Sequence, residues 1–303
     1  MTFDLAVVTA LTHKGNDDKE RNLADARAWV REAASRGAKL VLLPEGFPGL
    51  WQEPVDWTPV EALCDIAKES GVYLVGGFAE PLDEAGSRCY NSLVLIGPDG
   101  VEVGRYRRTT PAHAPWLHRQ GGNLGGYDWT NATDLPVFDT ELGKIGLLVC
   151  SEVYATELAR ILAVKGAELI LMPTGHVSPG NLSDTIGSGY GGSLYETWKT
   201  LVWARAIENL AYTAVCTNLS VEGGKGLSRV CSPEEIVLDE QEGGIHIATI
   251  DLDRVRWLRN RQDAFSDDGE TFKVKPGLLR DWRRQAVFDA NPELAKATPE
   301  ITN

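Results

Sequence analysis

The chain has 303 residues, 43% of them hydrophobic and 24% charged, which suffices for one large domain or two ordinary ones with a sizeable core. Its formal net charge is -13 and no basic stripe interrupts the acidic balance, which argues against nucleic acid and anionic membranes as partners. No apolar run approaches the roughly 20 residues of a membrane helix, so no membrane span is expected.

The N-terminus and the cysteines both favour a cytoplasmic location. Residues 1–11 are apolar but lack the basic leading segment of a signal peptide and carry Asp4, so we expect them to form the first strand. The five cysteines are odd in number and contain no C-x-x-C pair. This usage argues against a disulfide framework and against a structural zinc site, and we expect no metal.

Strand-like and helix-like runs alternate along the first hundred residues, as in an α/β sandwich. After the first strand, helices are predicted at residues 22–36 and 61–70, and strands at residues 39–45 and 72–78. Residues 92–97 and 101–106 flank the turn sequence Pro98-Asp-Gly100, which predicts a hairpin. The second strand of this hairpin leads into Arg107 and Arg108.

Long glycine-rich segments interrupt the second half of the chain. Residues 109–134 exceed an ordinary connection and form a predicted lid. A strand at 144–150, a helix at 154–166 and a strand at 168–173 follow, then a second glycine-rich loop at 174–192. The remaining elements are a helix at 193–210, a strand at 211–218, and a closing hairpin of residues 229–238 and 244–252.

No change in composition marks a linker, so residues 1–262 are predicted to form one domain. Residues 263–303 are polar and irregular and form a predicted C-terminal extension. Such an extension packs either on a partner subunit or on its own domain.

Cys150 and Glu45 each follow a buried apolar strand. A thiol at a strand-to-helix junction faces unpaired amides and the positive end of the helix dipole, which favour the thiolate. Reactive groups at equivalent strand ends converge on one pocket. We therefore predict that Cys150 is a nucleophile and that Glu45, if burial raises its pKa, is a general base. The simpler alternatives are a core cysteine and a solvated carboxylate.

Five motifs, in this order, resemble the nitrilase, or carbon–nitrogen hydrolase, superfamily from Leu5 to about Arg261. They are Leu42-Leu-Pro-Glu45, Gly104-Arg-Tyr-Arg-Arg108, the run from Gly143 to Glu152, the run from Gly166 to Pro173, and Trp198 with Arg205-Ala-Ile-Glu208-Asn209. The resemblance implies a four-layer αββα sandwich, a homo-oligomer built on a dimer, and no cofactor.

The resemblance also implies a catalytic set of Glu45, Arg108 and Cys150. In the family mechanism the glutamate takes the thiol proton, the thiolate attacks a nitrile or amide carbon, and water hydrolyses the resulting thioester. This is covalent catalysis, which divides one difficult step into two easier ones.

Two features depart from the family pattern. Arg108 stands where the family carries lysine; a guanidinium can hold an oxyanion, but its pKa above about 12 makes it a poor proton shuttle. Arg107 and Arg108 could also be a solvated pair or bind a substrate carboxylate. Lys144 lies roughly 20 Å of extended chain from Cys150 and cannot replace the missing catalytic lysine.

The predicted lid is the second departure, because it lacks the further glutamate of many family members. Its polar candidates are His113, His118, Asp128 and Asp134.

Several neighbours complete the predicted site. Glu152 either caps the helix after the nucleophile or holds Arg108, and the amides of Ser151 and Glu152 are candidate oxyanion donors. Arg107 is assigned, together with Ser151 and Glu152, to the residues that support the catalytic set. Arg205 and Glu208 are three residues apart on a helix and predict an ion pair. The candidate substrate-pocket residues, whose alternative role is packing, are Trp51, His113, Trp116, Thr174, His176 and Tyr190.

These features predict a cysteine-dependent hydrolase of a non-peptide C–N bond in a small amide, carbamoyl compound or nitrile. One alternative is an acyl-transferase or condensing enzyme that passes the same thioester to an amine, because water access to the pocket decides the outcome. A second alternative, favoured by the loss of lysine, is a degenerate binding or scaffold protein. A serine hydrolase is disfavoured because the G-x-S-x-G sequence is absent.

Overall fold

The computed structural model describes residues 1–13, 18–49, 57–86, 88–110, 128–175, 177, 179, 194–261, 274–281 and 285–290. The strands are β1 (Thr2–Leu11), β2 (Leu40–Leu42), β3 (Tyr73–Pro81), β4 (Arg88–Ile96), β5 (Glu102–Arg107), β6 (Asp128–Trp129), β7 (Val137–Thr140), β8 (Gly143–Leu147), β9 (Leu169–Leu171), β10 (Tyr212–Val215), β11 (Asn218–Leu219), β12 (Lys225–Cys231), β13 (Ile236–Glu242) and β14 (Gly244–Asp251). The helices are α1 (Lys19–Ser35), α2 (Val60–Ser70), α3 (Thr156–Val164), α4 (Leu194–Asn209), α5 (Leu252–Asn260), α6 (Leu278–Asp281) and α7 (Gln285–Ala290), with a 3-10 helix at Cys150–Tyr154.

The described strands form two sheets. The first has the order β11-β1-β2-β3-β4-β5, with β14 paired to β1 and β6 paired to β4. The second has the order β13-β12-β10-β9-β8-β7. Helices α1 and α2 cover the outer face of the first sheet, and α3 and α4 cover the second. This four-layer αββα sandwich confirms the predicted fold class.

Alternation along β1 shows how the sequence builds these layers. Leu5 and Val7 lie in the core between the sheets, whereas Ala6 and Val8 lie in the core beneath α1 and α2. Successive side chains of a strand point to opposite faces, so a strand buried on both faces is apolar throughout. The continuous apolar run of residues 5–8 is therefore the sequence of a strand that lies inside the sandwich.

The directions of the strands bring three chain segments together where parallel strands of the two sheets have their carboxyl ends. Strands β1, β2 and β3 are parallel, and β5 runs in the same direction because two antiparallel steps, through β4, separate it from β3. Strands β8, β9 and β10 are parallel within the second sheet. Glu45, Arg108 and Cys150 each follow the carboxyl end of one of these strands, namely β2, β5 and β8.

The predicted closing hairpin is wrong. Residues 229–238 span the turn between β12 and β13, which pair with each other in the second sheet. Strand β14 instead crosses to the first sheet and pairs with β1 over its whole length, from Thr9 opposite Gly244 to Thr2 opposite Asp251. Alternation within β14 identified a strand but carried no information about which sheet it joins.

Residues 274–278 of the C-terminal extension lie against the chain's own domain. Val274 packs with Leu210 and Leu258, and the Gly277 amide donates to the Leu258 carbonyl at 2.9 Å. The domain boundary at residue 262 stays a prediction. Among the described helices, none combines the length and the apolar character needed to cross a membrane.

Candidate active site

Glu45 lies in the turn after β2 and is 6% exposed. Its carboxylate Oε1 accepts a hydrogen bond from Asn91 Nδ2 at 2.8 Å, and its backbone carbonyl accepts one from Asn218 Nδ2 at 2.7 Å. Two long-range amides therefore fix both the main chain and the side chain of this residue. Burial raises the pKa of Glu45, and the Arg108 charge and the Asn91 hydrogen bond oppose that rise only in part.

Cys150 begins the 3-10 helix that follows β8 and adopts a positive φ of 52°. Left-handed backbone in a residue other than glycine costs about 1–3 kcal/mol and is typical of functional turns. Its amide donates to the Pro173 carbonyl at 3.0 Å, which ties the turn to the end of β9. The surrounding protein and the negative charge of Glu45 raise the pKa of the Cys150 thiol, whereas Arg108 lowers it.

Arg108 follows β5 and is 4% exposed. Its Nε donates to the Thr110 carbonyl at 2.9 Å, its Nη2 donates to Ser151 Oγ at 2.6 Å, and its Nη1 lies 3.8 Å from Glu45 Oε1. Burial lowers the pKa of Arg108, but the charges of Cys150 and Glu45 outweigh burial and the pKa is raised overall. The guanidinium is thus a permanent cation between the acid and the sulfur.

Glu152 ties the nucleophile turn to the segment that carries Arg108. It is fully buried, and its Oε2 accepts hydrogen bonds from Tyr106 Oη at 2.7 Å and from the Val149 amide at 2.8 Å. Its Oε1 accepts from the backbone amides of Thr109 at 2.9 Å and Thr110 at 3.2 Å. Glu152 thus caps the start of the helical turn through the Val149 amide, and it holds the backbone of the two residues that follow Arg108.

Helix α4 supports the same turn from below. Arg205 is 3% exposed, its Nε donates to the Val153 carbonyl at 2.9 Å, and its Nη1 pairs with Glu208. The predicted ion pair within the helix is therefore present. The bond to Val153 was not predicted, and it fixes the 3-10 helix that Cys150 begins.

A buried carboxylate, a guanidinium and a thiol thus meet at the carboxyl ends of the strands. Two sequence comparisons show which family has this arrangement of motifs. The carbon–nitrogen hydrolase family profile matches residues 5–260. The chain belongs to the carbon–nitrogen hydrolase family. It is 30% identical to the nitrilase of Pyrococcus abyssi over 275 residues, covering 84% of this chain and 94% of that protein. It is also 30% identical to the omega-amidase of Danio rerio over 279 residues, covering 86% and 92% of the two chains.

Solved structures of the family share the fold. The carbon-nitrogen hydrolase from Helicobacter pylori G27 superimposes with a TM-score of 0.74 at 20% identity, covering 98% of this chain and 99% of that one. A Nesterenkonia AN1 amidase superimposes with a TM-score of 0.65 at 21% identity, covering 84% and 93%. The resemblance seen in the motifs is confirmed, and the protein is a carbon–nitrogen hydrolase of the amidase and nitrilase type.

Arg107 does not join the site of this hydrolase. Its Nε and Nη2 donate to Glu80 at 2.7 and 2.6 Å, beside Arg105, and its guanidinium lies 5.2 Å from the centre of the Tyr90 ring. Because residues 107 and 108 are neighbours at a strand end, their side chains leave opposite faces of the sheet. The assignment of Arg107 to the supporting shell is therefore corrected.

One predicted oxyanion donor is also corrected. The Glu152 amide donates to the Val149 carbonyl at 3.1 Å, so its hydrogen is committed within the turn. Ser151 contributes its hydroxyl, which accepts from Arg108. The Thr174 side chain is fully buried beside Cys150, where its hydroxyl lowers the pKa of the thiol. The other candidate pocket residues lie outside the described residues: Trp51, His113, Trp116, His176 and Tyr190.

Sequence reasoning missed Asn91 and Asn218. Both are buried amides in or beside apolar strands, at 4% and 5% exposure. A buried amide must find partners, so each was a signal of a polar site nearby, but the partner is 46 and 173 residues away in the chain. Within the described part of the chain, no group of three or more histidine, cysteine, aspartate or glutamate side chains is placed to hold a metal ion.

Proposed function

We propose that this hydrolase cleaves the C–N bond of a small amide, carbamoyl compound or nitrile through a thioester on Cys150. Glu45 is the general base, and Arg108 is the electrostatic stabiliser. The proposal depends on one observation, the meeting of these three side chains at the carboxyl ends of β2, β5 and β8.

For an amide the steps follow from the contacts. Glu45 accepts the Sγ proton, and the thiolate attacks the carbonyl carbon to give a tetrahedral oxyanion. The C–N bond then breaks, and ammonia leaves with the proton returned by Glu45. A water molecule, deprotonated by Glu45, attacks the thioester, and the C–S bond breaks to release the acid and restore the thiol.

The raised pKa values of Glu45 and Cys150 suit this exchange. Both groups hold a proton more tightly than in water, because burial disfavours both anions and the Glu45 charge further disfavours the Cys150 thiolate. The raised pKa makes the Glu45 carboxylate a stronger base toward the thiol proton than an exposed carboxylate would be. Arg108 plays no part in proton transfer in this scheme, since two of its nitrogen atoms donate to Thr110 and Ser151 and its charge is permanent.

The relatives support the substrate class. Proteins about 30% identical over most of this chain are named nitrilase and omega-amidase. In a structural neighbour, the Nesterenkonia sp. AN1 amidase, a variant carries the acetamide moiety of fluoroacetamide at its active-site cysteine. The active-site cysteine of that neighbour thus acts as a nucleophile toward a small amide reagent, and a nucleophile is the role proposed here for Cys150. The geometry favours neither water nor an amine as the final acceptor.

The experiment is a screen of small amides, carbamoyl compounds and nitriles in which released ammonia and the product acid are measured. The parent and the Cys64→Ala variant should both turn over, because Cys64 lies on α2 away from the site. Cys150→Ala should lose turnover while keeping the parent's melting temperature within a few degrees. An amine added to the assay separates hydrolysis from acyl transfer. Turnover by Cys150→Ala at the parent's rate would refute the mechanism.

A further inference from the structure

We propose that Asn91 is a positioning residue of this active site, which fixes one oxygen of Glu45 and the backbone of Arg108 so that the other oxygen of Glu45 serves Cys150. The inference rests on the proposed function and deepens it. It assigns to a strand residue outside the catalytic set a role in acid–base chemistry.

Asn91 contacts both charged partners of the nucleophile. It lies on β4, is 4% exposed, and donates from Nδ2 to Glu45 Oε1 at 2.8 Å. Its backbone carbonyl accepts the Arg108 amide at 2.9 Å. One residue of a central strand therefore sets the distance between the acid, which follows β2, and the guanidinium, which follows β5.

These contacts divide the work of the two carboxylate oxygens. Oε1 of Glu45 receives the Asn91 amide and is the oxygen 3.8 Å from Arg108 Nη1. Oε2 faces Gly175, where a Cβ added to the glycine would lie 3.2 Å from it. The Gly175 backbone contacts both Glu45 and Cys150, so Oε2 is on the side of the carboxylate where the thiol proton is exchanged.

The orientation of the amide follows from the chemistry of its partner. An ionised carboxylate only accepts hydrogen bonds, so Asn91 must present its NH2 group to Glu45. Its Oδ1 then turns away, is buried, and accepts no hydrogen bond from any residue in the described ranges. A donor held against Oε1 favours the ionised form of Glu45 and thereby opposes the rise in pKa that burial causes.

Other charges act on the same proton. Within the described chain, Arg108 and Cys150 are the titratable groups that act on Glu45, and Glu152 acts on Arg108. A change of the side chain at position 91 leaves each of these charged groups in the chain and adds or removes none of them. A change in protonation after substitution of Asn91 therefore reports the lost amide.

The neighbouring residue offers a matched control. Ser92 is on the opposite face of β4, is fully buried, and donates to Glu80 at 2.7 Å. Glu80 also pairs with Arg105 and Arg107, on the face away from Cys150. Like Asn91, Ser92 is on β4 and donates to a buried glutamate. Ser92→Ala thus removes a comparable hydrogen bond, to Glu80, and leaves the contacts of Glu45 unchanged.

The test measures how fast iodoacetamide modifies Cys150 as a function of pH, with the site of modification located by peptide mass spectrometry. The full-length parent is compared with Asn91→Ala, Asn91→Asp, Ser92→Ala and Glu45→Gln. In Asn91→Ala the acidic limb of the pH–rate profile should move to a pH about one unit higher. Modification at a pH below the limb is then about tenfold slower than in the parent. Asn91→Asp, nearly isosteric but acidic, should raise it further, because two adjacent carboxylates resist ionisation. Ser92→Ala should leave the limb in place.

The outcomes separate the inference from the function on which it rests. If Asn91→Ala or Asn91→Asp is folded and keeps the parent's limb, or if Ser92→Ala shifts it equally, the inference is wrong. If Asn91→Ala does not fold, Asn91→Asp alone decides, because it preserves the volume of the side chain. If Glu45→Gln leaves the limb unchanged, Glu45 is not the base and the proposed function itself fails.

Discussion

Arg108 shows how a single side chain can change the division of labour in an active site. A lysine ammonium can give up its proton when it is buried, whereas a guanidinium keeps its charge and offers a planar set of donors. Here those donors bind Ser151 and Thr110, and another nitrogen of the guanidinium lies 3.8 Å from Glu45. In the proposed mechanism, proton transfer therefore falls to Glu45, while Arg108 supplies a fixed positive charge to the anions that form on Cys150 and the substrate.

Substitution of Arg108 tests this division. Arg108→Lys keeps the charge but cannot make the same set of hydrogen bonds, so kcat/KM should fall about tenfold. Arg108→Met keeps much of the volume and loses the charge, and kcat/KM should fall about a hundredfold or more. Steady-state kinetics on the best amide from the screen measures both. Equal activity of the methionine variant and the parent would exclude an electrostatic role.

Single residues also show what the sequence could and could not predict about the site. The family resemblance of the ordered motifs selected Glu45, Arg108 and Cys150, and strand direction brings the three together; Glu45 and Cys150 also follow apolar strands that local patterning reveals, whereas β5, before Arg108, is largely polar. Asn91 was not predicted because its partner Glu45 lies in a turn 46 residues away, and hydrogen bonds between distant segments leave no local pattern. The role of Arg107 was assigned wrongly for the same reason, since its partner Glu80 becomes adjacent only through strand pairing.

At the scale of elements, the close approach of β3 to the turn after β2 fixes where Glu45 sits. A Cβ added to Gly77 would lie 2.4 Å from the backbone nitrogen of Gly46, the residue that follows Glu45. The Gly77 amide donates to the Phe47 carbonyl at 2.9 Å, and the Gly46 backbone has a φ of 70°. Neither backbone can shift without moving Glu45, so the absence of a side chain at position 77 lets Glu45 keep its position.

The substitution Gly77→Ala should therefore reduce activity more than a general loss of packing would. Displacement of Glu45 by about 1 Å should lower kcat/KM about a hundredfold. Gly97→Ala is the control, because its new Cβ would first meet the end of the Asp99 side chain, which can move. Kinetics and urea denaturation of both variants measure the effect. A Gly77→Ala variant with parental kinetics would show that the turn tolerates the shift.

Local patterning predicted the elements better than it predicted their pairing. Alternation and helical spacing located most strands and helices to within a few residues, because each period reflects burial of one element's own faces. Whether β14 pairs with β13 or crosses to β1 depends instead on closing the sandwich, which is a property of both sheets together. The hairpin prediction failed at that step, although both of its segments contain strands.

At the scale of the whole molecule, the active site opposes the stability of the fold. Burial raises the pKa of Glu45 above its value in the unfolded chain, so the native state binds this proton more tightly. The stabilisation is fully present below the unfolded pKa and is lost as pH rises through the folded pKa. At neutral pH the burial of this carboxyl group therefore lowers the free energy of unfolding, a cost that the proposed mechanism requires.

The predicted homo-oligomer built on a dimer stays a prediction.

Glu45→Gln should therefore be more thermostable than the parent near neutral pH, while losing turnover. Glutamine resembles the protonated acid and keeps its volume, so it removes the cost of burying a charge. The difference in melting temperature should shrink as pH falls toward the usual pKa of a glutamate, where the parent is protonated as well. Calorimetry across this range provides the measurement, and a parent more stable than Glu45→Gln near neutral pH would contradict the argument.

The most direct test of the central claim, that Cys150 is a nucleophile prepared by Glu45 and Arg108, is treatment of the hydrolase with fluoroacetamide followed by peptide mass mapping. We predict one acetamide moiety per chain, on Cys150, with the four other cysteines unmodified. A label that falls on the other cysteines instead, or that the Cys150→Ala variant takes up to the same extent as the parent, would contradict the account.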